Sequence, residues 1–318
     1  MEWYYIVLII LVLLIILILS LSYLCFRLTF YVNKKKKKEE YELPPGKVYL
    51  QYKDQIIGAI KEARKLPHKD FYIQSFDGLL LHGKYYECQK GAPMEILFHG
   101  YRGNAERDLS KGIERCFKLR RNALIVDQRG SNESEGNIIT FGIKERKDCL
   151  SWINFAIKEF GDDVEIIITG ISMGAATVML ASSMDLPKNV IGALADCGYS
   201  SAKDIIKKVL KQIHLPTFIF YPLIKLGAKL FGNFDLEETS PYEAVQKSKI
   251  PIIFIHGSTD NFVPCYMSEK LYDACNTKKE LVIIPGAGHG LAYLVNPDMY
   301  LAALENFFKQ KVQNKVIL

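Results

Sequence analysis

Gly170-Ile171-Ser172-Met173-Gly174 is a G-x-S-x-G run lying between an apolar stretch at residues 164–169 and a helix-forming one at residues 173–184. A serine between a strand and a helix, flanked by residues with no side-chain bulk, is held exposed on a tight turn. The amide of Met173 then points from a helix N-terminus, where an oxyanion is stabilised. A serine hydroxyl attacks a carbonyl only when a base removes its proton. His289, in the permissive loop Gly286-Ala287-Gly288-His289-Gly290, follows the last apolar stretch and is the candidate base. Five other histidines compete. His99 and His256 end strands and suit turn architecture. His68, His82 and His214 fall outside any loop expected near Ser172.

A histidine base needs a carboxylate to fix its tautomer. Asp260 and Asp196 both follow strands. Asp260 is favoured because its strand, residues 251–256, is expected nearer the histidine loop. The second oxyanion amide is expected in the loop after the first parallel strand, His99-Gly100-Tyr101-Arg102-Gly103-Asn104, with the amide of Tyr101 as candidate. The phenol of Tyr101 is expected to wall a pocket.

These loops need a scaffold. Two β-prone runs, residues 71–75 and 79–86, flank Asp77-Gly78 and predict a hairpin. Strands are expected at residues 95–99, 123–127, 164–169, 190–196, 251–256 and 281–285. Helices are expected at residues 105–120, 142–160, 173–184 and 297–312, and an amphipathic stretch carries Ile56, Ile57, Ile60 and Ala63. Apolar strands alternating with helices predict an α/β fold, a mostly parallel sheet covered on both faces, with ligands at the carboxyl ends of the strands. Residues 199–249 are too long for a plain connection and carry many apolar residues, so a helical cap is expected there, broken into short helices by Pro216, Pro222, Gly227 and Gly232.

The first 33 residues are of another kind. No charge occurs from Trp3 to Phe26, roughly 36 Å of helix, whereas a bilayer core needs about 20 residues. The flanks lack a positive n-region and an Ala-x-Ala site, so residues 1–33 read as an uncleaved transmembrane anchor. Trp3, Tyr4 and Tyr5 are placed for one interface, and Tyr23, Phe26, Phe30 and Tyr31 for the other. Lys34 to Lys38 follow, which places that end, and the body, in the cytoplasm. Residues 34–50 read as a basic, Pro/Gly-containing linker and residues 51–318 as the catalytic domain. Net charge is +6, of which residues 1–38 account for +5. The near-neutral body carries no nucleic-acid footprint. The seven cysteines are odd in number and widely spaced, which argues against a disulfide framework or structural zinc.

Leu97 to Asn104, Asp127-Gln128-Arg129-Gly130, Gly170 to Gly174, His256 to Pro264 and Gly286 to Gly290 together resemble the α/β-hydrolase superfamily, most closely its membrane-anchored bacterial and Bem46-like branch. The resemblance covers residues 70–312. It implies Ser172 as nucleophile, Asp260 as acid, His289 as base, Tyr101 and Met173 as oxyanion amides, and the residues 127–130 loop as structural. One departure is Ala175, where prolyl-oligopeptidase relatives carry glycine, which counts against a peptidase. The expected activity is hydrolysis of carboxylic esters or thioesters, with no metal or organic cofactor, on a small-molecule or lipid-like substrate at the membrane. Two alternatives fit the same residues. One is an aminopeptidase or amidase using Asp235, Glu237 and Glu238 to hold a substrate terminus. The other is a silent, membrane-tethered binding protein.

Overall fold

The structure is a computed structural model, and it describes residues 2–34 and 40–313. Lys35 to Lys38, most of the basic run, lie outside the described residues. In chain order the helices are α1 (Trp3–Thr29), α2 (Lys53–Lys65), α3 (Ala105–Lys118), α4 (Glu145–Phe160), α5 (Met173–Ala181), α6 (Ala202–Gln212), α7 (Thr217–Gly232), α8 (Pro241–Lys247), α9 (Tyr266–Ala274), α10 (Ala292–Val295) and α11 (Pro297–Gln313). The strands are β1 (Lys69–Gln74), β2 (Leu80–Tyr86), β3 (Met94–Phe98), β4 (Asn122–Val126), β5 (Ile166–Ile171), β6 (Val190–Asp196), β7 (Ile252–Gly257) and β8 (Lys279–Ile284).

The strands form one eight-stranded sheet in the order β1-β2-β4-β3-β5-β6-β7-β8. The β1–β2 hairpin is antiparallel, turning through Asp77-Gly78 with Gly78 at φ 88°, a conformation glycine adopts without strain. From β4 onward every pairing is parallel. Strands β3, β4 and β7 are buried at every residue, as expected for strands with helices on both faces. This is the α/β-hydrolase fold. The predicted strands and helices all form, with ends displaced by a few residues.

Between β6 and β7 stand α6, α7 and α8. Here one expectation fails. Pro222 and Gly227 do not break the cap, because both lie inside the single 16-residue helix α7. The proline removes one bond to the Phe218 carbonyl, while burial of Tyr221, Ile224 and Ala228 along one side holds the helix together. Gly227 serves packing. A Cβ there would stand 2.5 Å from the Ser22 carbonyl oxygen and 2.9 Å from Phe26 Cβ, so α1 approaches α7 closely only at a glycine.

Helix α1 is long and apolar enough to cross a membrane. Residues 3–21 are exposed along their length, while Ser22, Cys25 and Phe26 are buried against the body. Phe30, fully buried, meets the Phe141 and Phe234 rings at 5.7 and 5.2 Å. Burying such a side chain contributes roughly 1.5–3 kcal/mol. The chain is then stitched to residues 137–139 by the bonds Val32 N–H to Asn137 O and Ile139 N–H to Phe30 O, each 2.8 Å.

Candidate active site

Strand β5 runs into α5 through Ser172, whose backbone is held at φ 56°, ψ −116°. The strain of such a conformation, of order 1–3 kcal/mol, persists only when the surroundings impose it. They do so here. A Cβ at Gly170 would lie 2.0 Å from the Gly174 carbonyl oxygen, and one at Gly174 would lie 2.0 Å from the Phe98 carbonyl oxygen. The turn passes so close to its own helix and to β3 that neither position admits a side chain. The Ser172 amide donates to the Asp196 carbonyl at 2.8 Å, which ties the turn to β6.

The structure brings Ser172, His289 and Asp260 together. His289 Nε2 is 2.9 Å from Ser172 Oγ, and its Nδ1 is 2.6 Å from Asp260 Oδ2. A carboxylate only accepts, so Nδ1 carries the proton and Nε2 is left to accept from the serine hydroxyl. Asp260 is held from its other side. Its Oδ1 accepts the Phe262 and Val263 amides, both at 2.8 Å. Burial would raise its pKa. Hydrogen bonds from His256 and His289 prevail and hold the carboxyl well below the usual carboxylate range. The competitor Asp196 is engaged elsewhere, accepting from the Tyr300 hydroxyl at 2.8 Å, and burial pushes its pKa up.

One partner was not legible in the sequence. His256 Nε2 lies 3.2 Å from Asp260 Oδ2 and 2.8 Å from the Val263 carbonyl, while its Nδ1 meets Ser268 Oγ at 2.7 Å. The i, i+4 spacing of His256 and Asp260 was the only available sign, and it says nothing without the turn that folds one onto the other. His99 is a brace. Its Nδ1 donates to the Gly100 carbonyl at 2.8 Å and its Nε2 accepts the Gln128 amide at 3.0 Å. Burial lowers its pKa, so the ring stays neutral. His99 and Gln128 thereby fix the loop that carries Tyr101. Arg129, in the same residues 127–130 loop, binds Asp77 and Asp148, which suits its expected structural role.

The Tyr101 phenol reaches an unexpected partner. It donates to the Thr29 carbonyl at 2.6 Å, and Arg102 donates to the Leu28 and Tyr31 carbonyls at 2.7 and 3.2 Å. The last carbonyls of α1 have no partner within their own helix. The loop beside Ser172 supplies them.

A cavity of about 490 Å³ opens at Ser172 and His289. Its walls are largely apolar and include Val48, Ile56, Leu97, Phe262 and Leu291. The segment before α2 forms part of that wall. Tyr49 is buried, and its hydroxyl donates to the His289 carbonyl at 2.9 Å. Cys197, Asp260 and His289 present donor atoms within 4.8 Å of one another. A metal would need the thiolate, and burial pushes the Cys197 thiol pKa far up. Both His289 nitrogens already have partners, so this donor set suits a hydrogen-bonded site better than an ion.

Residues 124–315 match the prolyl oligopeptidase family. The chain belongs to that family. Family membership holds despite Ala175, and it places the chain among the α/β hydrolases. The relatives point to the Bem46-like branch. The uncharacterised protein YqkD of Bacillus subtilis is 27% identical over 239 residues, covering 74% of this chain and 78% of that one. Protein bem46 of Schizosaccharomyces pombe is 24% identical, covering 70% of each chain. Among solved structures, the Pyrococcus furiosus esterase Pf2001 superposes with a TM-score of 0.66 at 20% identity, over 89% of this chain and 98% of that one. That likeness is one of fold. This member of the prolyl oligopeptidase family is a hydrolase carrying one N-terminal apolar helix.

Proposed function

We propose that the protein is a membrane-anchored serine hydrolase that cleaves carboxylic esters or thioesters. The observation that carries this reading is the continuous chain from Asp260 through His289 to Ser172, with contacts of 2.6 and 2.9 Å, at the wall of a largely apolar cavity. Ser172 Oγ attacks the acyl carbonyl as His289 Nε2 takes its proton. The imidazolium so formed is stabilised by Asp260. The amides of Met173 and Tyr101 take the developing oxyanion. His289 then protonates the leaving group, and a water deprotonated by His289 releases the acyl group.

The esterase named among the structural neighbours, Pf2001, supports an ester substrate. An aminopeptidase would need charged groups to hold a chain terminus. Glu237 is bound to Lys203, Lys225 and Tyr221, and Glu238 to Arg146. None of these acids lines the cavity at Ser172. The buried contacts of Cys25, Phe26 and Phe30 support a chain that is not cut after them, since cleavage there would remove part of the core they complete. The lysine run supports a cytoplasmic body, which protease digestion of oriented sealed vesicles tests directly.

Turnover of p-nitrophenyl esters of increasing chain length, beside the matching anilides, tests the bond type. Ester turnover far exceeding anilide turnover is expected. The reverse preference would replace the esterase reading with the amidase one.

A further inference from the structure

Helix α7 is apolar around most of its circumference, Lys225 and Lys229 being its charged residues, with Lys225 paired to Glu237. Tyr221, Ile224, Gly227 and Ala228 are buried on the protein. Phe218, Pro222 and Leu226 recur at helical spacing on the other face, with Ile219 and Leu230 beside them. On that outer face Phe218 is 78% exposed, Leu230 51% and Ile219 47%. An exposed apolar stripe of this size marks a contact with another protein or with lipid.

The position of α1 indicates which. Its exposed part, residues 3–21, spans about 28 Å at 1.5 Å per residue, matching a hydrocarbon core of about 30 Å. Its buried part begins at Ser22, where Gly227 of α7 makes its closest approach. Farther along, Gly232 meets Phe26, at 3.1 Å from a Cβ placed there, and the Phe231 ring lies 5.1 Å from Tyr23 and 5.9 Å from Phe26. Going back along α7 from Gly232 to Gly227 therefore goes back along α1 from Phe26 to Ser22. The N-terminal half of α7, with Phe218 and Ile219, points toward the level of the membrane-spanning residues. Lys211 and Lys229 stand exposed near this surface, where long stems can lie on lipid while the ammonium groups meet anionic headgroups.

We infer that the outer face of α7 and the α6–α7 turn are immersed in the bilayer surface as a second membrane contact, and that the substrate is an acyl ester borne by the membrane. The turn reaches the site. Gln212 Nε2 donates to the Asn261 carbonyl at 3.3 Å, and Gln212, Asn261 and Phe262 form a rim of the cavity at Ser172. An ester leaving the headgroup layer passes this rim. The substrate half of the inference rests on the esterase reading, whereas the membrane contact does not.

The test uses the full chain in nanodiscs of phosphatidylcholine and phosphatidylglycerol. Benzoylphenylalanine replaces Phe218, Leu230, Leu11 or Tyr72 in turn, and adducts are read by mass after illumination. Lipid adducts are expected at Phe218, Leu230 and Leu11, and none at Tyr72 on the edge strand β1. Adducts at Leu11 without any at Phe218 and Leu230 would overturn the inference, as would Phe218 joined to a second copy of the chain. No adduct at Leu11 would remove the anchor on which it depends. For the substrate half, a Phe218→Ser/Ile219→Ser chain should lose turnover of esters embedded in vesicles and keep turnover of a short soluble ester. Equal loss on both, or loss on neither, contradicts access from the membrane. Absence of ester turnover in the unaltered chain would instead count against the esterase reading, with the adducts still deciding the membrane contact.

Discussion

Two histidine–aspartate sites in the molecule have different fates. At one, His289 gives one nitrogen to Asp260 and turns the other to Ser172 beside an open cavity. At the other, His82 is 1% exposed and lies between two carboxylates, 3.0 Å from Asp127 Oδ2 and 2.8 Å from Asp70 Oδ1. Asp127 also accepts the Ala105 amide and the Asn132 side-chain amide, at 2.9 and 3.0 Å. Every strong site on His82 is spent on structure. His256, on the same carboxylate as His289, is likewise saturated by Ser268 and the Val263 carbonyl. A carboxylate beside a histidine is thus ordinary core architecture in this protein. What separates His289 is a second nitrogen facing a strained, accessible nucleophile.

Substitutions should divide the two pairs cleanly. Ser172→Ala and His289→Ala are each expected to lower ester turnover by on the order of 10⁴-fold or more, with thermal unfolding little changed. A turnover assay beside a melting curve checks both. Asp260→Asn should lower kcat by roughly 10⁴-fold through the wrong His289 tautomer. Retention of most activity would show that the carboxylate contributes packing alone.

At the other pair the effect should fall on stability. His82→Asn leaves Asp127 and Asp70 short of a partner and should cost about 1–3 kcal/mol, read from denaturant midpoints, with turnover by the folded fraction retained. The pH dependence has a definite sign. Burial lowers the His82 pKa, but hydrogen bonds to Asp127 and Asp70 outweigh it, and the net shift is upward. Because the folded pKa lies above the unfolded value of about 6.5, the stabilisation is complete below that pH and fades as pH rises through the folded pKa. The unaltered protein should show this slope, and His82→Asn should flatten it. The smallest effect is expected from Tyr101→Phe. It loses one bond to the Thr29 carbonyl, about 0.5–1.5 kcal/mol, and keeps the backbone amide proposed for the oxyanion.

The sheet was legible because its signals are local. The hairpin at Asp77-Gly78 and the buried apolar strands follow from turn chemistry and composition within a few residues. The elbow was legible because the glycines at 170 and 174 are demanded by contacts their own turn creates. Other features needed the third dimension. Pro222 and Gly227 look like helix breakers in one dimension, yet α7 runs through both because its partner, α1, lies about 200 residues earlier. Tyr49 reads as linker, although it caps the loop of His289. The tie between Tyr101, Arg102 and the end of α1 joins segments with no shared pattern.

The central claim is that Ser172 is a nucleophile activated by His289. Intact-mass and peptide analysis after exposure to a fluorophosphonate tests it most directly. The account predicts one adduct on the Ser172 peptide of the unaltered protein and none on Ser172→Ala or His289→Ala. A folded, unaltered protein that takes no adduct, or one labelled equally without His289, would contradict it.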